Sequence, residues 1–301
     1  MSTAAAPEPA LVDDDLVVRG VGEEPDQDDV RAFEVHWQHE RVGRVELLLG
    51  ADGDAEVIWV FVPEYRGVGI VERALRLVLR WAFDDLGLRR VEARVEDADR
   101  DSVRAAMRAG LRKEGVSRSQ NVPGGRGDVV VLGVLDDDPS PESREGFIAQ
   151  LNSALPTKRA IAQGVLRDAG GRVLLCELVY KQEWDLPGGV VDPHESPAHC
   201  VVREVREELG VDVEVRGLLA VNWLPPWRGW SDATVFVFDL GVVDDDFVAR
   251  ATLQPREIRA VHWVAEEELD RHVAPYNQRL LAFLATHAGP AAYLEDGLPA
   301  L

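Results

Sequence analysis

The sequence predicts an α/β (α+β) protein of two domains, each a sheet covered by helices, and three observations carry that reading. At 301 residues the chain is about twice the length of an ordinary domain of roughly 100–150 residues. Short apolar runs of strand length are interleaved with a few stripes at helical spacing. Near the middle, the acidic, proline-containing stretch DDDPSPESRE (136–145) interrupts both patterns as a linker does.

In chain order, residues 1–15 read as a flexible acidic tail, residues 16–135 as a first domain, 136–157 as the acidic linker, 158–288 as a second domain and 289–301 as a C-terminal tail. The first domain opens with a strand at Leu16–Val21, then apolar runs at Ala32–Trp37, Val42–Leu49 and Glu56–Val62 that suggest an antiparallel meander. Val71, Ala74, Leu75, Val78 and Ala82 then recur at helical spacing, ended by Gly87. Before them lies Pro63-Glu64-Tyr65-Arg66-Gly67-Val68-Gly69-Ile70. A glycine-containing loop feeding a helix can turn backbone N–H groups toward a phosphate, and it equally serves as a tight strand-to-helix connection. A strand at Val91–Val95, a helix at Ser102–Ala109 closed by Gly110, and a strand at Asp128–Leu135 complete the domain.

Tyr65–Val71, Asp99–Ser102, and Gly110-Leu111 followed by Glu114-Gly115 resemble the GNAT acetyltransferase family, most like its ribosomal-protein-acetylating branch. The resemblance implies that Arg66, Gly67, Val68, Gly69 and Ile70 cradle the pyrophosphate of acetyl-CoA. Several positions depart from the family pattern. Val71 stands where the loop usually has Gly or Ala, Asp99 replaces Asn, Leu111 replaces Phe, and Ala106 sits where many relatives carry a tyrosine general acid. About ten residues separate the first two strands, too few for the two helices that shape the acceptor site. Acetyl transfer is therefore an open alternative.

A short helical segment, Phe147–Leu155, ends the linker. The second domain reads as strands at Ala160–Leu166, Val173–Tyr180, Val213–Val221, Ala233–Leu240 and Ala260–Val264, with helices at Glu266–Arg271 and Tyr276–His287. Between the second and third strands, Pro187-Gly188-Gly189 makes a turn, Ser196 and Pro197 open a helix, and Gly210 closes it. Val201, Val202, Val205 and Leu209 form its apolar stripe, while Glu204, Glu207 and Glu208 crowd one turn. Like charges at i and i+4 oppose each other. Either the helix is a salt-laced surface element or a divalent cation relieves the conflict, and hard oxygen donors suit Mg²⁺ or Mn²⁺.

Gly189, five residues, Glu195, seven residues, Arg203-Glu204-Val205, one residue, Glu207-Glu208, one residue, Gly210-Val211 matches the fixed positions of the Nudix box, so this segment resembles the Nudix hydrolases. That resemblance implies an α/β/α sandwich hydrolysing a nucleoside diphosphate linked to another moiety. It also implies Glu204, Glu207 and Glu208 as metal ligands, the Gly189 carbonyl as a further ligand, Glu195 and Arg203 as supporting groups, and Glu207 as first choice of base, with Glu257 and Glu266–Glu268 as outside candidates. Trp223, Trp227, Arg228 and Trp230 on a loop, with Trp184 beside the box, are candidates to stack on a base and grip a phosphate. The remaining alternative is a nucleotide-binding regulator without turnover.

A net charge of −21 argues against duplex nucleic acid, whose binding needs a basic surface. Only two cysteines occur, without metal-binding spacing, and no signal-like or membrane-length apolar run is present, so a cytoplasmic protein acting on a small nucleotide is expected.

Overall fold

A computed structural model of the chain describes residues 9–21, 29–244 and 246–300 and divides into two compact units, one through Pro156 and one from Thr157. In the first, β1 (Ala10–Asp13) precedes strands β2 (Leu16–Val21), β3 (Val30–Trp37), β4 (Glu40–Leu49) and β5 (Asp54–Phe61), which form the expected meander. Helix α1 (Ile70–Asp84), β6 (Arg90–Glu96), α2 (Arg100–Ala109), β7 (Arg112–Val122) and β8 (Gly125–Leu135) follow, giving the sheet order β1-β2-β3-β4-β5-β6-β8-β7. Every pairing is antiparallel except β5 with β6, which run parallel and pair only over Asp54–Glu56 and Arg90–Glu92. Helix α1 turns Val71, Ala74, Leu75, Val78 and Ala82 into a core shared with Phe33, Val45, Leu47 and Val57, and Trp81 meets Phe33 edge to face at 5.1 Å.

Two boundaries differ from the sequence reading. Residues 1–8 of the expected tail lie outside the described residues, but Ala10–Asp13 is strand, paired antiparallel with β2 and anchored where Arg73 bonds Asp13 at 2.7 Å and Asp15 at 3.2 Å. The expected linker carries α3 (Arg144–Ala154), capped by Ser143. It is stitched to the first unit by Gln150 donating to the Met107 carbonyl at 2.6 Å, Arg76 to Glu142 at 2.7 Å and Arg112 to Asp138 at 2.8 Å. Strand β7 had no apolar alternation to reveal it. Its sequence RKEGVSRSQNV is that of a polar edge strand, held by backbone pairing with β8.

The second unit contains β9 (Arg159–Arg167), β10 (Val173–Leu178), β11 (Gly188–Val190), α4 (Pro197–Leu209), β12 (Gly217–Leu224), β13 (Ala233–Val242), α5 (Phe247–Arg250), β14 (Ile258–Val264), a 3₁₀ segment at Glu266–Arg271, α6 (Pro275–Thr286), β15 (Ala292–Glu295) and β16 (Leu298–Pro299). Strand order is β14-β10-β9-β13-β12-β15-β16, with β11 also on β9. Alternation along the strands sends Ala162, Leu166, Leu174 and Cys176 to one face, where Val201, Val205 and Leu209 of α4 cover them. Val165, Leu175, Val235 and Val237 go to the other face, under Leu280, Leu281 and Leu284 of α6. This is the sandwich the sequence implied. Among the described residues no helix is long and apolar enough to cross a membrane.

The C-terminal tail is a further correction. Ala292–Glu295 pairs parallel to β12, Leu294 is fully buried, the Gly297 N–H donates to Asn222 at 3.0 Å and Arg279 donates to the Asp296 carbonyl at 2.7 Å. Four residues were too short a run to signal a strand. Replacing a fully buried leucine leaves a cavity, so Leu294→Ala is expected to lower stability by about 2–5 kcal/mol in urea denaturation. A tail residue would leave the transition unmoved.

Candidate active site

The segment before α4 is fixed by backbone bonds on both sides. Asp185 exchanges two backbone hydrogen bonds with Cys176 at 2.7 and 3.0 Å, the Pro187 carbonyl accepts the Gly164 N–H at 2.9 Å, and Gly188, Gly189 and Val190 pair with Gln163, Ala162 and Ile161. Gly188 sits at φ 141°, and a Cβ there would strike the Ala162 carbonyl. A Cβ on Gly189 would run into the Glu204 carboxylate, so glycine lets the helix side chain lie directly on the turn. Ser196 caps α4 by accepting the His199 N–H at 3.2 Å, and Gly210 ends it at φ 67°.

Burial of Cys200, Val201, Val205 and Leu209 sets the phase of the helix and so places the carboxylates. Glu208 is turned inward, 5% exposed, its Oε2 accepting the Gly188 N–H at 3.0 Å. Burial pushes its pKa up to about 8, with Glu204, Asp185 and Glu257 adding to the effect and the Gly188 bond opposing it. Glu204 is also raised by burial, against the pull of Arg203. Glu207 faces outward, its side chain 59% exposed.

Arg203 joins the loop to the helix. It grips Glu195 through two bonds of 2.9 Å and reaches Glu204 at 2.9 Å and Glu207 at 3.1 Å, and these carboxylates, Glu195 first, hold it firmly protonated. Glu195 in turn is held down to about 2 by Arg203, and its Oε2 accepts the Asp192 N–H at 3.2 Å. Glu195 and Arg203 thus form a bidentate pair between the loop and the helix.

The expected convergence of Glu204, Glu207, Glu208 and the Gly189 carbonyl on one point differs from what is observed. Among the described residues no group of three or more His, Cys, Asp or Glu is gathered to hold a metal ion. Arg203 takes one oxygen each from Glu204 and Glu207, while Glu208 turns onto Gly188. The donor set nonetheless fits a divalent cation. It consists of oxygens only, Glu204 and Glu208 are both desolvated and the Glu204 charge acts on Glu208, and among the described residues Glu207 is held by Arg203 alone.

One further group, Asp185, was not legible beforehand. Asp185 is buried. Its Oδ1 accepts from Gln163 and Asn277 at 2.7 Å each and from the Leu186 N–H at 3.0 Å, and its Oδ2 pairs with Lys181. A single aspartate within EWDLPGG carries no periodic signal. Glu257 lies close enough for its charge to raise both Glu204 and Glu208. Glu266, Glu267 and Glu268 lie on the 3₁₀ segment, and His194 and His199 lie before and on α4.

Of the aromatic candidates, Trp184 is corrected. His262 and His272 stack on it, each at 3.9 Å with rings within 7° and 11° of parallel, so neither indole face is open to a base. Trp223 is tied to Asp232 at 3.1 Å. Trp227 and Trp230 close the β12–β13 hairpin by backbone bonds of 3.1 and 2.9 Å, with Arg228 at φ 49° and Gly229 at φ 88° as that turn requires. Arg228 lies over Trp227 at 4.4 Å and bonds Glu183 at 2.8 Å, while Tyr276 meets Trp227 edge on at 5.9 Å. Trp230 is 67% exposed, with Arg159 over its ring at 5.1 Å. Trp227, Arg228 and Trp230 thus share one hairpin, pinned to the segment that leads into the Gly188–Gly189 turn.

In the first unit, Arg66 to Ile70 form the turn between β5 and α1, with Gly67 at φ 79° and Gly69 at φ 87°. Val68 is exposed and Ile70 buried. The cleft beside them, where β5 and β6 part, measures about 90 Å³ and is walled by Trp59, Phe61, Val71, Asp99 and Asp101. Ordinary cofactor sites measure roughly 300–1,000 Å³. Arg66 Nε is spent on the Phe61 carbonyl at 3.2 Å, two carboxylates face the space an anionic diphosphate would enter, and Ala106 is buried without a hydroxyl. The residues present do not fit acetyl-CoA.

The Glu195–Arg203 pair gives a pH signature. Glu195 titrates near its ordinary 4.5 when unfolded and at about 2 when folded, so its stabilisation is complete above the first value and disappears as the pH falls through the second. Glu195→Gln is expected to flatten the fall in Tm between pH 4.5 and 2 relative to the parent chain, measured by thermal melts across that range.

The NUDIX domain family matches residues 157–285 and the Acetyltransferase (GNAT) domain family residues 14–112. A CTP pyrophosphohydrolase of Escherichia coli (strain K12) is 33% identical over 128 residues, 40% of this chain and 89% of that protein. A Bacillus subtilis (strain 168) protein described as probable N-acetyltransferase YjcK is 34% identical over 98 residues, 32% of this chain and 54% of that protein, so the match spans about half of that relative. Among solved structures, the MutT protein of Methanosarcina mazei Go1 aligns at 25% identity and TM-score 0.38, covering 44% of this chain and 96% of that one. The chain belongs to the Nudix family, as a hydrolase of pyrophosphate bonds that carries a GNAT domain ahead of its catalytic unit.

Proposed function

We propose that the second unit hydrolyses a nucleoside diphosphate linked to another moiety, with Mg²⁺ or Mn²⁺, and that the GNAT domain does not transfer acetyl groups. The observation that carries this reading is the placement of Glu204 and Glu208 against the Gly188–Gly189 turn, with Glu207 left facing solvent beside them. Glu204, Glu207, Glu208 and the Gly189 carbonyl would hold the metal, which when bound supplies charge neutralisation at the phosphates and acidifies water. Arg203 keeps loop and helix in register. Glu207 Oε1, free of the Arg203 bond that occupies Oε2, accepts the proton of the attacking water. Trp227 and Trp230 stack on the base, with Arg228 gripping a phosphate. The action of the Escherichia coli relative on CTP supports a nucleotide substrate.

Purified protein with Mg²⁺ should release a nucleoside monophosphate from at least one of CTP, dGTP, 8-oxo-dGTP or ADP-ribose. Glu207→Gln should lower kcat by about 10²–10⁴-fold with an unchanged circular dichroism spectrum, whereas a parental rate in the variant rejects the assignment of the base. For the first unit, hydrogen–deuterium exchange of the full chain with millimolar acetyl-CoA should leave the amides of Arg66–Val71 as exposed as before. Protection there would show that the cleft accepts the coenzyme.

A further inference from the structure

Acids gather at the Gly188–Gly189 turn: Glu204 and Glu208 lie against it, Asp185 precedes it, Glu257 acts on both glutamates, and Glu207 is joined to Glu204 through Arg203. Among the described residues, Lys181, Arg203 and Arg228 are the cations bonded to these acids and their neighbour Glu183, and the two arginines are already committed. Arg203 directs its guanidinium to Glu195, Glu204 and Glu207. Arg228 is held between Glu183 and the face of Trp227.

Lys181 is different. Its ammonium has three donors and one carboxylate partner, Asp185 Oδ2, and its side chain is 34% exposed. The chain has only three lysines, and Lys158 is paired with Asp232 at the hairpin. Lys181 therefore stands beside the site with donors unspent. The site is shared: the Asp185 charge acts on Glu208, the neighbouring Tyr180 lies in the field of Glu208 and Glu257, and the Val179 N–H donates to the Glu257 carbonyl at 2.8 Å.

Asp185 is arranged to hold this lysine in place. Gln163 from β9, Asn277 from α6 and the Leu186 N–H all fall on Oδ1, which fixes the carboxylate plane and leaves Oδ2 turned to Lys181. We propose that Lys181 binds the phosphate oxygens of the substrate that the metal does not neutralise, and that Asp185 is the positioning residue that aims it. An ammonium on a flexible stem suits phosphate as a point charge, binding the ground state and the transition state alike. The inference rests on the hydrolase reading above and deepens it: the substrate class presents at least two ionised phosphates, one to the metal side and one to Lys181.

The test uses the full chain with inorganic pyrophosphate as probe, titrated calorimetrically with Mg²⁺ present, and CTP as kinetic substrate. Lys181→Met, which keeps the apolar stem, is expected to weaken pyrophosphate binding by about 10–100-fold, raise KM for CTP by a similar factor and leave kcat nearly unchanged. Lys181→Arg should restore most of the binding. Asp185→Asn should weaken binding in the same direction and not be rescued by Lys181→Arg in the double variant. A Lys181→Met protein that binds pyrophosphate like the parent overturns the proposal, as does a loss in kcat and Tm alone with KM unmoved. If the parent turns over no nucleotide but Lys181→Met still loses pyrophosphate affinity, the lysine assignment stands and the hydrolase reading falls. Turnover by the parent with no effect of Lys181→Met overturns the lysine assignment and leaves the hydrolase reading standing.

Discussion

The hold of Arg203 on three carboxylates is the interaction on which the catalytic unit depends. Its planar fork spans from Glu195 in the loop to Glu204 and Glu207 in the helix, so one side chain sets loop against helix and offsets the repulsion among acids only one turn apart. Glu208 lies outside that fork and is relieved instead by a backbone N–H of the turn. Breaking either arrangement would leave a desolvated carboxylate without a partner, a costlier state than never having buried it.

The same turn is gripped from both faces of the sheet. On the α4 side, Gly188 is bonded to Glu208. On the α6 side, Asp185 is bonded to Asn277 and, within the sheet, to Gln163. A segment pinned in this way keeps its carbonyls and N–H groups in place without reorganising when a charged ligand arrives, which is the condition under which fixed dipoles act most strongly. The aromatic hairpin connects through Arg228 and Glu183 to the start of that segment, so the proposed base-stacking surface and the acidic helix share one support.

Much of this was legible in the sequence because it is periodic or carried by punctuating residues. The α4 stripe, its Ser196 cap and its Gly210 stop appear where the spacing put them, and so do most strands whose apolar residues alternate, but the run expected from Val213 becomes strand only at Gly217. What was missed has no such signature. β7 is polar and formed by its partner, β15 is four residues long, and, although the helix at Phe147–Leu155 was expected, the bonds that tie it and the acidic stretch before it back to Met107 and Arg76 were not. At the site, composition could nominate Trp184 as a stacking surface but could not show that two imidazoles already cover it. Asp185 was invisible for the opposite reason: its importance lies in donors arriving from Gln163 and Asn277, far away in the chain.

Both cysteines are packed into the α4 face of the sheet. Burial raises the Cys200 thiol to about 12 and Cys176 well above its ordinary value, so neither is an appreciable nucleophile while the fold is closed. Cys200 lies 3.5 and 3.7 Å from the carbonyls of Val190 and Gly189, at the seam between turn and helix. Alkylation at that sulfur must therefore wait for the seam to part, and its rate, set against that of an unfolded peptide, reads out how often the catalytic loop breathes away from the helix.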